Sequence, residues 1–255
     1  MSTQRKADAS TRELYLDLLV KVLTNVIYCD PSSNPTSVLP FKYELRSEGY
    51  DWPTVAHTMA GLRRLNNIRE LTQRVIDGRI AGDFVETGVW RGGCCILMRA
   101  ILKADEIEDR KVYAVDSFAG LPPPNPDKFP HDEGSELHLY KQLAVSLEQV
   151  KANFARYGLL DNQVVFVKGL FQDTLPLFDA QPLSLIRLDG DRYESTYVAL
   201  DTLYPKLSPG GFVIVDDYGA VPACQKAVLD YRNLQGIEAP IQEIDWTGVW
   251  WQKAS

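Results

Sequence analysis

The chain has 255 residues, a mass of 28.7 kDa and a hydrophobic fraction of 45%. Its charged fraction of 24% is ordinary for a globular protein, which excludes a disordered or low-complexity chain. The net charge is −7 with a sequence pI near 5.1, and no long run of lysine and arginine is present. This balance argues against a nucleic-acid-binding surface, which needs clustered basic side chains.

The sequence also lacks the apolar stretches of membrane and secreted proteins. No segment reaches the roughly 18 uncharged apolar residues of a membrane helix, and the first residues are polar. We therefore expect a cytoplasmic protein that binds neither a membrane nor a nucleic acid. The four cysteines form no Cys-x-x-Cys pattern and none of the three histidines is near a cysteine in sequence, which argues against a structural zinc site.

The first 80 residues predict helices and irregular chain without a clear strand. Residues 11–28 place leucine and valine at helical spacing, which is typical of an amphipathic helix. Four prolines interrupt residues 29–53 and favour at most short helical turns there. Residues 54–78 resume a helical pattern that ends near Gly78.

From Gly82 onward, short apolar runs alternate with helical segments and predict strands. The runs are Phe84-Val85, Val112–Val115, Val164–Val167, Leu183–Leu188, Phe212–Val215, Ile241–Ile244 and Val249–Trp251. The first five are far enough apart for helical crossovers in a parallel sheet. The last two are too close for a crossover and predict an antiparallel hairpin. We therefore expect a mostly parallel, seven-stranded α/β sheet in a unit of residues 81–255, after a helical segment of residues 1–80.

Two features at the predicted strand ends favour a nucleoside ligand without phosphate. Glu86 precedes a glycine-rich turn that ends at Gly93, where the backbone can approach a ligand and a helix begins. Asp116 ends the second strand, where an acid can accept both hydroxyls of a ribose. We expect Glu86 to point into the ligand crevice, where it would repel phosphate but suit S-adenosylmethionine. An ordinary strand–helix turn and a turn-capping role for Asp116 are the alternatives.

Four aspartates follow the fourth and fifth predicted strands, at Asp189, Asp191, Asp216 and Asp217. These strands are expected to be neighbours, so their four carboxylates would converge on one edge of the crevice and repel one another. A bound hard cation such as Mg²⁺ would relieve that repulsion, because it prefers oxygen ligands. The alternative is a set of loop aspartates that cap turns and helices.

A series of motifs resembles one known family. They are Val-Ala-His-Thr-Met (55–59), Arg-Leu-Asn-Asn (64–67), Glu-Thr-Gly-Val-Trp-Arg-Gly-Gly (86–93), Arg-Tyr-Gly-Leu-Leu (156–160), Leu-Asp-Gly-Asp (188–191), Leu-Ser-Pro-Gly-Gly-Phe (207–212) and Asp-Asp-Tyr (216–218). Together they resemble the macrocin O-methyltransferase (TylF) family, whose better-known members methylate deoxysugars of macrolide and aminocoumarin antibiotics. The resemblance runs from about residue 12 to the C-terminus.

The resemblance implies a class I S-adenosylmethionine-dependent (Rossmann-like) methyltransferase fold, an N-terminal helical lid and a divalent metal, usually Mg²⁺. It implies Asp191 as the general base, although the match leaves open which of Asp189 and Asp191 binds metal and which is the base. The expected metal ligands are Asp189, Asp216 and Asp217. The expected cofactor contacts are Thr58, Met59, Glu86, Thr87, Gly88, Arg91, Asp116, Ser117, Gln172 and Asp173, and the expected substrate contacts are His138 and Tyr218.

The expected activity is methylation of a deoxysugar hydroxyl on a glycosylated natural product in antibiotic biosynthesis, by a homodimer or higher homo-oligomer. A metal would chelate the sugar diol and an aspartate would take the proton. Arg192, directly after Asp191, could pair with that acid and lower its pKa, which would weaken it as a base. One alternative is a methyltransferase of a catechol-like molecule. Others are a metal-dependent phosphohydrolase, with Arg187 and Arg192 as its phosphate clamp, and a non-catalytic cofactor-binding protein.

Overall fold

A seven-stranded sheet with helices on both faces forms the centre of the protein, as a computed structural model describes it over residues 2–33, 37–179 and 182–254. The helices are α1 (Ser2–Leu23), α2 (Tyr43–Glu48), α3 (Gly61–Asp77), α4 (Gly93–Ala104), α5 (Leu147–Arg156), α6 (Phe171–Thr174), α7 (Tyr193–Leu203) and α8 (Pro222–Gln235). The strands are β1 (Ser32–Ser33), β2 (Val38–Leu39), β3 (Trp52–Pro53), β4 (Asp83–Thr87), β5 (Val112–Asp116), β6 (Val164–Lys168), β7 (Leu183–Leu188), β8 (Leu207–Val215), β9 (Gln242–Glu243) and β10 (Val249–Gln252).

The central sheet has the strand order β6-β5-β4-β7-β8-β10-β9. Strands β4 to β8 are parallel, whereas β10 runs antiparallel to both β8 and β9. The predicted parallel sheet with a C-terminal antiparallel hairpin is therefore confirmed. The chain builds outward from β4 to β6 and then returns to β7 on the other side of β4. Ligands bind outside the carboxyl ends of strands at such a reversal.

The carboxyl ends of four neighbouring strands lie level with one another. Thr87 of β4 lies opposite Val115 of β5 and Leu188 of β7, and Leu188 lies opposite Val215 of β8. This register brings the residues that directly follow these positions to one edge of the sheet, and they are Gly88, Asp116, Asp189 and Asp216.

The N-terminal segment packs into the same core as the sheet. Leu16 and Leu23 of α1 and Ile68 of α3 are fully buried in a cluster that also contains Phe84 of β4. The opposite face of the sheet packs against α7 and α8. Strand β7 is buried along its whole length, as expected for a central strand that is covered on both sides.

Besides α1, which ends at Leu23 and not at residue 28, the N-terminal segment differs from its prediction in two places. It contains a small antiparallel sheet of three two-residue strands, in the order β2-β1-β3, where no strand was expected. Helix α3 begins at Gly61 and not near residue 54. The reason is Asp30, whose carboxylate accepts the backbone N–H groups of Val55 at 2.6 Å and Ala56 at 3.3 Å. This contact holds the chain in an irregular conformation despite its helical pattern.

None of the helices in the described ranges combines the length and the apolar character that a membrane span requires.

Candidate active site

A cavity opens at the carboxyl edge of the sheet, directly above the strand ends. It encloses about 870 Å³ of empty space, part of it open to solvent, which is within the range of small-molecule sites. Its lining combines polar groups with apolar side chains. The polar residues include Asp116, Ser117, Gln172, Asp189, Asp191 and Ser195, and the apolar ones include Met59, Trp90, Leu143, Leu170, Phe171 and Val198.

The glycine-rich turn after β4 is held by Asp116 from the next strand. The Asp116 carboxylate accepts the backbone N–H of Val89 at 2.8 Å and that of Phe118 at 2.8 Å. Gly88 has φ +82°, and a Cβ there would lie 1.7 Å from the carbonyl oxygen of Asp189, so this position requires glycine. Asp116 thus caps its own turn, as the alternative interpretation held, and also lines the cavity.

Glu86 does not point into the cavity, and that expectation is wrong. Its side chain is buried and forms an ion pair with Arg187, which lies opposite it in the register of β4 and β7. The thiol of Cys95 donates to its other carboxylate oxygen at 2.8 Å. Burial raises the pKa of Glu86 to about 7, an effect that Arg187 opposes. Glu86 therefore belongs to the layer beneath the cavity floor.

Three of the predicted aspartates form a cluster with the geometry of a cation site. Asp189, Asp216 and Asp217 each place a carboxylate oxygen within 4.8 Å of the others, and this is the one such group among the described residues. Burial, with repulsion from Asp216, raises the pKa of Asp189 to about 6. Burial, with repulsion from Asp191 and Asp189, raises the pKa of Asp217.

Two arginines partly neutralise this cluster. Arg187 pairs with Asp189 at 2.7 Å and also with Asp216 and Glu86, while Arg64 pairs with Asp216 and Asp245. Within the described part of the chain, four carboxyl groups thus share two guanidinium groups. Asp191 and Asp217 add two further carboxyl groups at the same place. The remaining negative charge and the all-oxygen donor set fit a hard divalent cation such as Mg²⁺.

Asp191 lies beside the cluster in a strained conformation. Its φ is +65°, which is uncommon for a residue other than glycine, and its N–H donates to Oδ2 of Asp217 at 3.2 Å. Burial and the charges of Asp189 and Asp216 raise its pKa to about 7. The guanidinium of Arg192 donates instead to Ser135 Oγ and the Pro122 carbonyl, and its charge opposes but does not reverse the rise in the Asp191 pKa.

The structure places the other predicted contacts in two groups. Met59, Gly88, Asp116, Ser117 and Gln172 line the cavity. Thr58, Thr87, Arg91, Asp173, His138 and Tyr218 lie outside its described lining. Thr58 and Thr87 are buried, and Arg91 donates to the carbonyls of Pro53 and Ala56. Asp173 is exposed, and Tyr218 packs on the α7–α8 side next to Asp217.

Two residues of the site were missed or misread from the sequence. Arg64 was not predicted to contribute, although it lies in the Arg-Leu-Asn-Asn motif that helped to carry the resemblance. Arg187 was considered only as a phosphate clamp, but it is 1% exposed and is engaged by three carboxylates. It therefore cannot bind a phosphate group in the cavity.

His57, which precedes α3, makes the free energy of unfolding depend on pH. Its Nδ1 lies 2.7 Å from the hydroxyl of Tyr157, and burial, with Arg156 and Arg91 nearby, lowers the pKa of His57 to about 4. The unfolded chain, with an ordinary histidine pKa of 6.5, binds more protons between these two values. The contribution of His57 to the free energy of unfolding is therefore present above pH 6.5 and is lost as the pH falls towards 4.

We expect His57→Gln to show a smaller loss of unfolding free energy than the wild type on going from neutral pH to about pH 4.5. Urea denaturation of both proteins at the two pH values measures this difference. An equal loss in both proteins would contradict the assignment.

Comparisons with known proteins agree with the fold. A family model described as Macrocin-O-methyltransferase (TylF) matches residues 12–253. The chain is 52% identical over 246 residues to an 8-demethyl-8-(2,3-dimethoxy-alpha-L-rhamnosyl)-tetracenomycin-C 4'-O-methyltransferase of Streptomyces olivaceus, with 94% of this chain and 93% of that protein covered. It is 48% identical over 254 residues to a demethyldecarbamoylnovobiocin O-methyltransferase of Streptomyces niveus, with 97% and 96% covered.

A solved structure of the O-methyltransferase NovP superposes on this chain with a TM-score of 0.92 at 48% sequence identity. The match covers 96% of this chain and 100% of that one. The family model, the relatives and the shared fold agree over nearly the whole chain. The chain therefore belongs to the macrocin-O-methyltransferase (TylF) family and is an S-adenosylmethionine-dependent O-methyltransferase.

Proposed function

We propose that the protein is a Mg²⁺-dependent enzyme that methylates a hydroxyl of a deoxysugar on a glycosylated natural product. The observation that carries this proposal is the cluster of Asp189, Asp216 and Asp217, of which Asp189 lines the cavity. The name of one relative supports the acceptor class, since it is a 4'-O-methyltransferase of a rhamnosyl tetracenomycin. A second relative is named for methylation of demethyldecarbamoylnovobiocin.

The cofactor end of the cavity is the part lined by Gly88, Asp116 and Ser117. Asp116 keeps a carboxylate at the end of β5, where it can accept ribose hydroxyls. Met59 from the N-terminal segment and Phe171 from α6 add apolar surface for the rest of the molecule. The absence of a Walker lysine from the turn that ends at Gly93 suits a ligand without phosphate.

Replacing Asp116 by asparagine is expected to weaken S-adenosylmethionine binding by about 10–100-fold, the loss of hydrogen bonds to a charged acceptor. Calorimetric titration of the cofactor into the variant measures this change. Asp109→Asn, an exposed position just before β5, is the matched control and is expected to bind normally. An unchanged affinity in folded Asp116→Asn would contradict this assignment.

The metal is assigned to Asp189, Asp216 and Asp217, whose carboxylates supply the hard oxygen ligands that Mg²⁺ prefers. When bound, Mg²⁺ supplies Lewis-acid chemistry that lowers the pKa of an acceptor hydroxyl and orients it. Asp191 would accept the proton of the acceptor hydroxyl while that oxygen forms a bond to the sulfonium methyl of S-adenosylmethionine. The S–CH3 bond would break in the same step, and S-adenosylhomocysteine would leave. The Asp191 pKa of about 7 suits a general base at neutral pH.

The acceptor class is tested by methyl transfer from S-adenosylmethionine to a panel of compounds in the presence of Mg²⁺. The panel contains deoxysugar glycosides, catechols and a generic phosphate ester, and mass spectrometry detects the gain of one methylene. We expect methylation of a glycoside. Methylation of catechols alone would favour the alternative methyltransferase, and hydrolysis of the phosphate ester without methylation would contradict the proposal.

A homo-oligomer is part of the proposal. Helix α1 exposes Leu14 by 67% and Leu18 by 55%, one helical turn apart, which is apolar surface available to a second copy. Light scattering of the purified protein is expected to give a dimer or larger assembly, and a mass near 28.7 kDa would contradict this expectation.

A further inference from the structure

One arginine of α3 joins the N-terminal segment to the aspartate cluster. Arg64 donates through Nη1 to Oδ2 of Asp216, through Nε to Oδ2 of Asp245 at 3.0 Å, and through Nη2 to the carbonyl oxygen of Gly49 at 3.3 Å. Its side chain is 5% exposed. The end of α2, the end of β8 and the turn of the β9–β10 hairpin therefore meet at one guanidinium group.

Two glycines leave the space that this guanidinium occupies. A Cβ on Gly49 would lie 2.2 Å from Nη2 of Arg64, and a Cβ on Gly248 would lie 3.0 Å from its Cδ. Gly49 also has φ +69°, a left-handed conformation that favours glycine. A larger side chain at Gly49 or Gly248 would therefore crowd the side chain of Arg64.

Asp216 receives one guanidinium group on each of its carboxylate oxygens. Arg187 of β7 donates to Oδ1, and Arg64 of α3 donates to Oδ2. Arg187 belongs to a central strand of the sheet. The contact from Arg64 of α3 therefore sets the rotation of the Asp216 carboxylate about its Cβ–Cγ bond. Donors that orient a metal ligand in this way contribute strongly to metal affinity.

We propose that Arg64 is a positioning residue of the metal site, which orients the Asp216 carboxylate towards Asp189 and Asp217. The N-terminal segment is then part of the metal site and not only a cover over the cavity. The inference rests on the proposed function, since it takes Asp216 as a metal ligand. It also gives a role to the Arg-Leu-Asn-Asn motif at residues 64–67.

Charge and orientation predict opposite effects when Arg64 is removed. Loss of a positive charge next to Asp216 would by itself strengthen the binding of a cation. Loss of an orienting hydrogen bond would weaken it, by about 10–100-fold in comparable sites. The sign of the change therefore separates a positioning role from a merely neutralising one.

The test is binding of Mn²⁺ to full-length Arg64→Met, measured from the electron paramagnetic resonance signal of free Mn²⁺ without acceptor. We expect a Kd about 10–100-fold higher than that of the wild type, with S-adenosylmethionine binding retained. Arg63→Met is the matched control, since Arg63 is 60% exposed and forms only a surface ion pair with Glu48 at 3.2 Å. Its Kd is expected to match the wild type.

An unchanged or lower Kd in Arg64→Met would overturn the proposal. Arg64→Lys keeps the charge but not the planar fork that reaches two carboxylates, so its Kd is also expected to rise. If neither variant folds, Asp245→Asn serves as the test. It removes the carboxylate oxygen that accepts from Nε of Arg64 and keeps the oxygen that accepts the N–H of Gly248. An unchanged Kd for Mn²⁺ in Asp245→Asn would overturn the inference. Wild-type protein that binds no Mn²⁺ would instead contradict the proposed metal site itself.

Discussion

Replacing Asp191 by asparagine is expected to lower kcat by about 10²–10⁴-fold, the usual contribution of a positioned general base. Asparagine has nearly the same shape but cannot accept the hydroxyl proton. The affinities for S-adenosylmethionine and for Mn²⁺ are expected to stay close to those of the wild type, because Asp191 is proposed to hold neither. Steady-state kinetics with the accepted glycoside and two binding titrations measure these three quantities.

A matched control for this variant is Asp201→Asn, since Asp201 is exposed on α7, the helix that follows Asp191. Its kcat is expected to equal that of the wild type. The assignment of the base to Asp191 would be contradicted if Asp191→Asn kept its kcat. Loss of Mn²⁺ binding in Asp191→Asn would instead show that the roles of Asp189 and Asp191 are exchanged.

Replacing Arg187 by methionine is expected to reduce the free energy of unfolding by about 3–5 kcal/mol, the cost of leaving buried charges without a partner. Arg187 is 1% exposed and is the partner of Glu86, Asp189 and Asp216. Carboxyl groups that lose this partner have a higher pKa in the folded state than in the unfolded state. Their destabilising effect is therefore largest at high pH and falls as the pH drops and they take up protons.

Urea denaturation in the presence of a chelator measures this effect at about pH 8 and about pH 5. The control is Lys226→Met, which breaks an exposed ion pair with Asp230 and is expected to cost less than about 1 kcal/mol. A loss below about 1 kcal/mol in Arg187→Met, or a larger loss at the lower pH, would contradict the described network.

Much of the sheet was predictable because its signals are local. Each central strand is a short apolar run, and the distance between runs distinguishes a helical crossover from a hairpin. The order of the chain then brings the residues after β4, β5, β7 and β8 to one edge, so the roles suggested for Asp116 and the four later aspartates could be stated without coordinates. Their positions at that edge follow from the register of the strands.

The layer beneath the cavity was not predictable because it depends on register and on distant partners. Glu86 is buried since Arg187 lies opposite it on β7, 101 residues away. Arg64 reaches Asp216 across 152 positions of sequence. No local pattern contains such pairings. In the same way, the helical pattern of residues 54–60 is overridden by Asp30, which takes the backbone N–H groups of Val55 and Ala56.

Two arginines from different parts of the fold hold the same carboxylate of the site. Arg187 comes from the sheet and Arg64 from the N-terminal segment, and both donate to Asp216. The aspartate cluster is thus held by one rigid element and by one element that also contributes Met59 to the cavity. The N-terminal segment therefore contributes to both places through different residues, Met59 at the cavity and Arg64 at the aspartate cluster.

We propose that methyl transfer by this protein requires a divalent cation that the aspartate cluster binds. The most direct test is the initial rate of methyl transfer to the accepted glycoside at saturating S-adenosylmethionine, before and after treatment with EDTA and after Mg²⁺ is restored. We expect activity to disappear with EDTA and to return with Mg²⁺, while calorimetry shows that the cofactor still binds without metal. Full activity in the chelator would contradict this proposal.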